Sequence, residues 1–326
     1  MNLEGTSPIF VLGRQHSGNT LLAAVFDRLP GVRGMKGEGT FFECWAELDR
    51  LQADERLSRL VDILGRSDAP HLSPEARGEL EAALRAHRAR GSDLSACALY
   101  VAGMEHLAGR RGKHRWAQKA TSYIFYVDLI LRAFPRAKLI YLLRNPLDLA
   151  ASLKLRGGRH ALLRMVYAWN KGARLAGHYQ TRHPESFLVV RFEDLVGAPE
   201  PTVRRVLGFC GLDFHPDCLQ VPLVNPAEEP YRMESAEQGM DASRLFRYRQ
   251  VLTAAEEAVV RWGVSRQLIE RHYPELRAPD RRVGLRLVPG AVWLVGRSAA
   301  ALVAEHLGQL FSDPGHMVKR LRRRLT

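Results

Sequence analysis

Cysteine is scarce in this chain, with four in 326 residues, at Cys44, Cys97, Cys210 and Cys218. They show no paired-ligand spacing and no histidine joins one at zinc spacing, which argues against a structural metal site. Scattered thiols of this kind are expected to be buried and reduced, with Cys210 and Cys218 the weak candidates for a disulfide. A secretory leader is also missing. Met1 to Pro8 lack a basic start and run straight into an apolar segment, so a cytoplasmic protein is expected. The apolar stretch between Arg286 and Arg297 has only ten uncharged residues, where a bilayer span needs about 20. Internal repeats, low-complexity tracts and metal-binding acidic motifs are absent as well. What remains is a chain with 46% hydrophobic residues, long enough for one enlarged α/β domain or two smaller ones.

Charge is plentiful but uneven. The net charge is +13, and residues 281–326 hold nine Arg or Lys against two acids, so that segment alone carries +7. The modest excess over the first 280 residues suits a polyanionic nucleotide, with no nucleic-acid partner expected.

The most informative stretch is Gly13-Arg14-Gln15-His16-Ser17-Gly18-Asn19-Thr20. It follows the apolar run Ile9-Phe10-Val11-Leu12 and precedes a helical pattern over Leu21–Phe26. Two glycines between strand and helix let backbone N–H groups and a helix N-terminus close around an anion. A nucleoside triphosphatase places Lys after the second glycine to reach the β- and γ-phosphates. Here that position is Asn19. The loop is equipped to hold a phosphate and poorly equipped for ATP or GTP chemistry.

Further along, residues 43–111 read as helices, with Leu48, Leu51, Leu57, Leu60, Leu64, Leu80 and Leu84 at helical spacing. They form a helical insertion suited to covering a cleft. Before it, Val32 to Phe42 contains three glycines and is expected to be an irregular, exposed connection, entered at most by a short strand. Trp116-Ala117-Gln118-Lys119 leads into a helix from about Ser122 to Phe134. Lys138–Leu143 is a buried-strand run, followed by a helix with Pro146 in its first turn. A helix from about His160 to Thr181 and a strand over Phe187–Arg191 come next, and Pro201 opens another helix. Thr253-Ala254-Ala255-Glu256 is a capping box for a helix reaching about Tyr273. Strands separated by helices predict an α/β fold, a mostly parallel sheet flanked by helices on both faces. The expected domains are 1–280 and a basic C-terminal extension over 281–326.

Taken together these segments resemble the sulfotransferases that use 3′-phosphoadenosine 5′-phosphosulfate (PAPS), in the style of tyrosylprotein and carbohydrate sulfotransferases, over roughly residues 8–275. The resemblance implies that Arg14 to Thr20 wrap the 5′-phosphosulfate. The family's cation before Ser-Gly is here His16, a departure, with Arg14 two residues away as a substitute. It implies that Arg144 and Ser152 of LLRNPLDLAAS bind the 3′-phosphate, that Lys119 reaches the sulfuryl group, and that Glu38 of GMKGEGTFFE is the base for the acceptor hydroxyl. Glu43 stands in reserve, and His160 and His178 are remote alternatives. A basic, aromatic segment containing Arg244 and Arg247-Tyr248-Arg249 is implied near the nucleotide, and no metal is required. Adenosine 3′,5′-bisphosphate is then the product. Tyrosine peptides, sugars, glycolipids and natural-product hydroxyls are all possible acceptors. A P-loop kinase and a non-catalytic nucleotide-binding membrane adaptor are the rival classes.

The tail lies beyond the resemblance. Trp293 and its aliphatic neighbours suit the lipid interface, and Lys319-Arg320-Leu321-Arg322-Arg323-Arg324 suits anionic head groups. Packing on the domain and oligomer contacts are the alternative uses.

Overall fold

The computed structural model describes residues 6–68, 72–90, 95–156, 162–222, 239–242, 245–276 and 287–300. Its centre is a five-stranded sheet of β1 (Ile9–Gly13), β2 (Val32–Met35), β3 (Arg115–Lys119), β4 (Lys138–Leu143) and β5 (Phe187–Arg191), in the order β2-β3-β1-β4-β5. Every pairing is parallel. The chain winds first to one side of β1 and then to the other, so β1 lies at the switch point, the place where α/β sheets bind ligands beyond the carboxyl ends of their strands. Ile9, Phe10, Val11 and Leu12 are all fully buried, as expected of a central parallel strand covered on both faces.

The chain divides into two compact units, Met1–Arg144 with Gly172–Ser243, and Asn145–Lys171 with Arg244–Thr326. The first holds the sheet. Helix α1 (Asn19–Asp27) follows β1, and α2 (Phe41–Leu48), α3 (Ala53–Asp68), α4 (Pro74–Ala89) and α5 (Ala96–Gly109) form the helical insertion. The leucine stripe that marked it is buried except at Leu51, which is half-buried. An aromatic cluster joins insertion to sheet. Phe10 of β1 meets Phe42, Trp116 and Tyr123 edge-on at 5.6–5.8 Å, and Phe41 stacks on Tyr100 at 4.1 Å. Helices α6 (Val127–Ala133), α9 (Phe192–Gly197) and α10 (Pro199–Phe209) also belong to this unit.

The second unit contains α7 (Pro146–Leu155), α11 (Tyr248–Val251), α12 (Ala254–Gly263), α13 (Arg266–His272) and α14 (287–300). Helix α8 (Leu162–Arg182) runs through the division at Lys171. Both halves of the Thr253–Glu256 capping box form. Lys154 of α7 pairs with Glu256 at 2.6 Å and donates to the Val251 carbonyl at 2.8 Å. One face of α14, through Ala291 and Leu294, packs with Val259 of α12 and with Leu163.

Three expectations need correction. Val32–Met35 is the short strand allowed for at the start of the glycine-containing connection, but it is buried at the sheet edge and not exposed. Arg33 makes this possible, because its guanidinium is neutralised by Asp27 at 2.7 Å and Asp68 at 2.6 Å. Arg115–Lys119 is a strand in its own right, followed by a short turn of tight helix at Tyr123–Phe125, so the next helix begins at Val127. The helix expected to run to Tyr273 breaks between Gly263 and Arg266, where Asn170 accepts from the Ser265 N–H and donates to the Gly263 carbonyl, both at 2.8 Å. All four cysteines are free thiols, with no Cys210–Cys218 bond, and burial pushes Cys210 up to about 12.

The Arg33 network ties β2 to α1 and α3, and Asp27 also takes Lys36 at 3.0 Å. Burial raises the Asp27 pKa, but the charges of Arg33 and Lys36 outweigh it and hold the carboxyl below its usual range. A carboxylate whose folded pKa is depressed stabilises the protein above its unfolded pKa, and that contribution is lost as pH falls through the folded value. Asp27→Asn is therefore expected to cost about 2 kcal/mol at pH 7. Urea unfolding of both proteins should show the difference shrinking steadily below about pH 4.

Candidate active site

Because all strands run the same way, the segments after β1, β2, β3 and β4 emerge on one edge of the sheet. These are the four segments singled out in the sequence. Register places them relative to one another, with Lys119 paired opposite Val11 and Leu142 opposite Gly13. The phosphate loop is thus flanked by the end of β3, carrying Lys119, and the end of β4, leading to Arg144.

The loop itself is tightly built. Gly18 sits at φ 92°, a left-handed conformation, and a Cβ there would lie 2.5 Å from the Phe192 ring. A Cβ on Gly13, at φ 145°, would meet the Asn19 side chain at 2.5 Å and the Leu142 carbonyl at 2.6 Å. Asn19, where a triphosphatase has lysine, is buried and turned inward. Its Nδ2 donates to the carbonyls of Gly13 at 2.9 Å and Arg14 at 3.1 Å, stapling the loop closed. The Ser17 N–H donates to the Arg14 carbonyl at 3.1 Å. Among the described residues the buried Ser17 hydroxyl has no hydrogen-bond partner, and α1 has neither a side-chain cap nor an acidic residue in its first turn. An orphaned hydroxyl beside an uncapped helix N-terminus is the donor set an anionic phosphate group fits. Arg14, His16, Gly18 and Thr20 are half-buried around it, and Gln15 is exposed.

His16 holds φ 69°, uncommon for a residue with a side chain. Its carbonyl accepts from Arg144 Nη1 at 2.7 Å, which ties the loop to the end of β4. The Arg144 guanidinium also lies over the Phe192 ring, 4.4 Å from its centroid. Phe192 therefore underlies both the loop and the arginine. Nothing in its local sequence distinguishes it from an ordinary core residue.

Beyond β2 and β3 a carboxylate and an ammonium meet. Glu38 Oε2 lies 3.3 Å from Lys119 Nζ. Glu38 Oε1 accepts from the Thr121 N–H at 2.5 Å and the Thr121 hydroxyl at 2.7 Å. The Lys119 side chain is 12% exposed and that of Glu38 is 38%, so the carboxylate is the more accessible of the pair. Glu43 takes the first turn of α2, where it accepts from the Ser122 hydroxyl.

Of the remaining residues named by the resemblance, Ser152 and Arg247 belong to the second unit. Ser152 is half-buried on α7. Asp148, on the same helix and 1% exposed, accepts from the N–H groups of Phe246 and Tyr248, both at 3.0 Å. It thereby holds the exposed Arg247 to the helix that bears Ser152. The sequence reading passed over Asp148, whose partners are about a hundred residues away. His178 is exposed on α8 against Tyr179, while His160 and Arg244 lie outside the described residues. No cluster of His, Cys, Asp and Glu suited to a metal ion, and no helix long and apolar enough to cross a membrane, occurs among the described residues.

Comparison with known proteins agrees with this fold. The sulfotransferase domain of the Synechococcus PCC 7002 olefin synthase superimposes with a TM-score of 0.57 at 19% identity, covering 85% of this chain and 98% of that one. A sulfotransferase domain from the curacin biosynthetic pathway gives a TM-score of 0.54 at 18% identity, covering 84% and 99%. At these identities the likeness is one of fold. An uncharacterized protein of Aquifex aeolicus (strain VF5) is 27% identical over 226 residues, which make up 65% of this chain but only 26% of that longer protein. The model of the sulfotransferase family matches residues 8–216, from the strand before the phosphate loop to beyond β5, and the chain belongs to that family.

Proposed function

We propose that the protein transfers a sulfuryl group from PAPS to an acceptor hydroxyl. The observation that carries this reading is the Lys119–Glu38 pair at 3.3 Å, on the strand that flanks a phosphate loop lacking its own lysine. Arg14 to Thr20 would hold the 5′-phosphosulfate, and Arg144, Ser152 and Arg247 the 3′-phosphate. PAPS supplies an activated sulfuryl group. The acceptor oxygen attacks sulfur, the bridging S–O bond breaks, and its electron pair leaves with the 5′-phosphate.

The roles of the protein groups follow from that charge movement. Glu38 takes the acceptor proton, since a hydroxyl is too weak an acid to ionise unaided. Lys119, the loop N–H groups and Arg14 or His16 stabilise the charge that gathers on the leaving phosphate oxygen. Arg144, held by the His16 carbonyl and the Phe192 ring, is preorganised for a phosphate and not for solvent. Alignment and electrostatics then supply most of the acceleration, as in phosphoryl transfer.

A second observation concerns where the acceptor is found. Val288, Val292, Trp293 and Val295 of α14 are exposed, while Ala291 and Leu294 pack inward. Four free thiols fit a reducing compartment. With the +7 of residues 281–326, these features support an anionic cytoplasmic membrane face as a partner and a lipid or glycolipid as acceptor.

Calorimetric titration is expected to give tight binding of adenosine 3′,5′-bisphosphate and little binding of ATP–Mg²⁺, with Arg144→Ala weakening the bisphosphate by roughly 10- to 100-fold. A preference for ATP–Mg²⁺ would sink the sulfotransferase reading in favour of a kinase. Bisphosphate release from PAPS should fall by at least about 10²-fold in Glu38→Gln and in Lys119→Ala, with nucleotide affinity retained in Glu38→Gln. Unchanged release in both would remove the roles given to Glu38 and Lys119, and bisphosphate binding without any release from PAPS by the wild type would leave a nucleotide-binding adaptor. For the surface, the protein should float with vesicles containing 30% phosphatidylserine and not with neutral ones, and Val292→Glu with Trp293→Glu should abolish flotation.

A further inference from the structure

Resting on the reading of Glu38 as the base, we infer that Thr121 is its positioning residue, occupying one carboxylate oxygen so that only the other, beside Lys119, is left for the acceptor. The geometry begins where β3 ends. Lys119 is the last residue of the strand, and both Lys119 and Thr121, in the turn that follows, contact Glu38, while Ala120 between them is fully buried. Backbone hydrogen bonds hold this register from both directions. The Ala120 N–H donates to the Val11 carbonyl at 2.9 Å, and the Gly39 N–H donates to the Lys119 carbonyl at 2.8 Å. The residue after Glu38 is thus anchored to the residue that begins Lys119-Ala120-Thr121.

The two oxygens of Glu38 are not equivalent. Oε1 receives two donors from one residue, the Thr121 N–H at 2.5 Å and its hydroxyl at 2.7 Å. Among the described residues Oε2 faces only the Lys119 ammonium, at 3.3 Å, longer than the usual 2.7–2.9 Å or so of a charge-assisted bond. Oε1 is therefore the structural oxygen and Oε2 the reactive one. Ser122, the next hydroxyl, donates to Glu43 and does not compete for Glu38. A glutamate has three side-chain torsions, and a base that must sit within hydrogen-bond reach of a hydroxyl loses efficiency when they are free. Two donors from a single rigid position remove that freedom. Valine at 121 has the same shape and the same N–H but no hydroxyl, so it isolates the proposed role.

The test uses the full chain with PAPS and water as the acceptor. Water oxygen attacks sulfur, the bridging oxygen leaves with the 5′-phosphate, and a water proton passes to Glu38, giving sulfate and adenosine 3′,5′-bisphosphate. Sulfate release at saturating PAPS is measured for wild type, Thr121→Val, Thr121→Ser and Glu38→Gln, alongside the bisphosphate Kd and the melting temperature. Thr121→Val is expected to lower turnover about tenfold with the Kd unchanged within about twofold, and Thr121→Ser to restore turnover. Thr121→Ala, which removes the hydroxyl without adding a methyl, gives the same reading if the valine variant misfolds. Wild-type turnover in the valine variant, with Glu38→Gln inactive, overturns the positioning role alone. So does a loss of bisphosphate affinity and melting temperature that serine fails to restore, since that pattern belongs to a structural residue. Wild-type turnover in Glu38→Gln overturns the base reading itself, and this inference with it.

Discussion

Parallel pairing of β1 with β3 and β4 is the constraint on which the site depends. A parallel ladder cannot be closed by a tight turn, so each strand must be followed by a crossover, and every crossover starts at the same edge. That single fact gathers residues far apart in sequence. Gly13 opens the phosphate loop from β1, Arg144 follows β4 and Lys119 ends β3. Their mutual placement then needs no long-range side-chain contact to define it, because the hydrogen-bond register already fixes Lys119 opposite Val11 and Leu142 opposite Gly13. A slip of one residue along β3 would turn Lys119 to the opposite face and bring the buried Gln118 side of the strand out in its place.

Holding β2 in this arrangement is less simple, because the strand is short, lies at the edge and contains an arginine. An edge strand with unpaired backbone groups invites association and is commonly covered. Here α3 supplies the cover, with Asp68 bonded to Arg33 and the Ser67 carbonyl accepting from the Gly37 N–H at 3.0 Å. Burying a guanidinium is costly unless it is paired and hydrogen-bonded. Two carboxylates, Asp27 from α1 and Asp68 from α3, meet that requirement and convert the cost into a connection between the phosphate-loop helix and the insertion. Glu38 leaves the sheet three residues after this strand, so the stiffness of the Arg33 network carries through to the carboxylate.

How much of this was legible in the sequence depends on whether the partner of each residue is local. The strand–loop–helix at residues 9–27, the buried run before Arg144, the leucine stripe and the Thr253 capping box are all local patterns, and each was found where expected. β2 and β3 were harder because their polar residues are satisfied from far away. Gln118 is fully buried, accepts from Tyr100, and donates to Ser67 Oγ at 2.8 Å, partners 18 and 51 positions distant. In a sequence window Arg115-Trp116-Ala117-Gln118-Lys119 lacks the apolar continuity of a central strand. The same holds for Asp148, whose acceptors' partners lie near Phe246, and for Phe192, which matters only because Gly18 and Arg144 fold onto it. Thr121 is a further case, because it lies two residues beyond Lys119 but its partner Glu38 is 83 positions away and no local pattern pointed to the pair.

Asn19 bears on what kind of group the loop is built to hold. A lysine at this position would extend outward to the terminal phosphates of a triphosphate. The amide instead turns inward and spends its donors on Gly13 and Arg14, so the loop's own contribution is neutral hydrogen bonding from N–H groups, the Ser17 hydroxyl and a helix N-terminus. On the proposed reading the cation is Lys119, from the adjacent strand, and it comes paired with a carboxylate. A lysine inside the loop would stabilise charge on a bound nucleotide whether or not an acceptor was present. On that same reading, a lysine on the neighbouring strand, 3.3 Å from the proposed base, would place charge stabilisation and proton removal at one point. Transfer needs both at once, because the leaving oxygen gains charge as the attacking oxygen loses its proton.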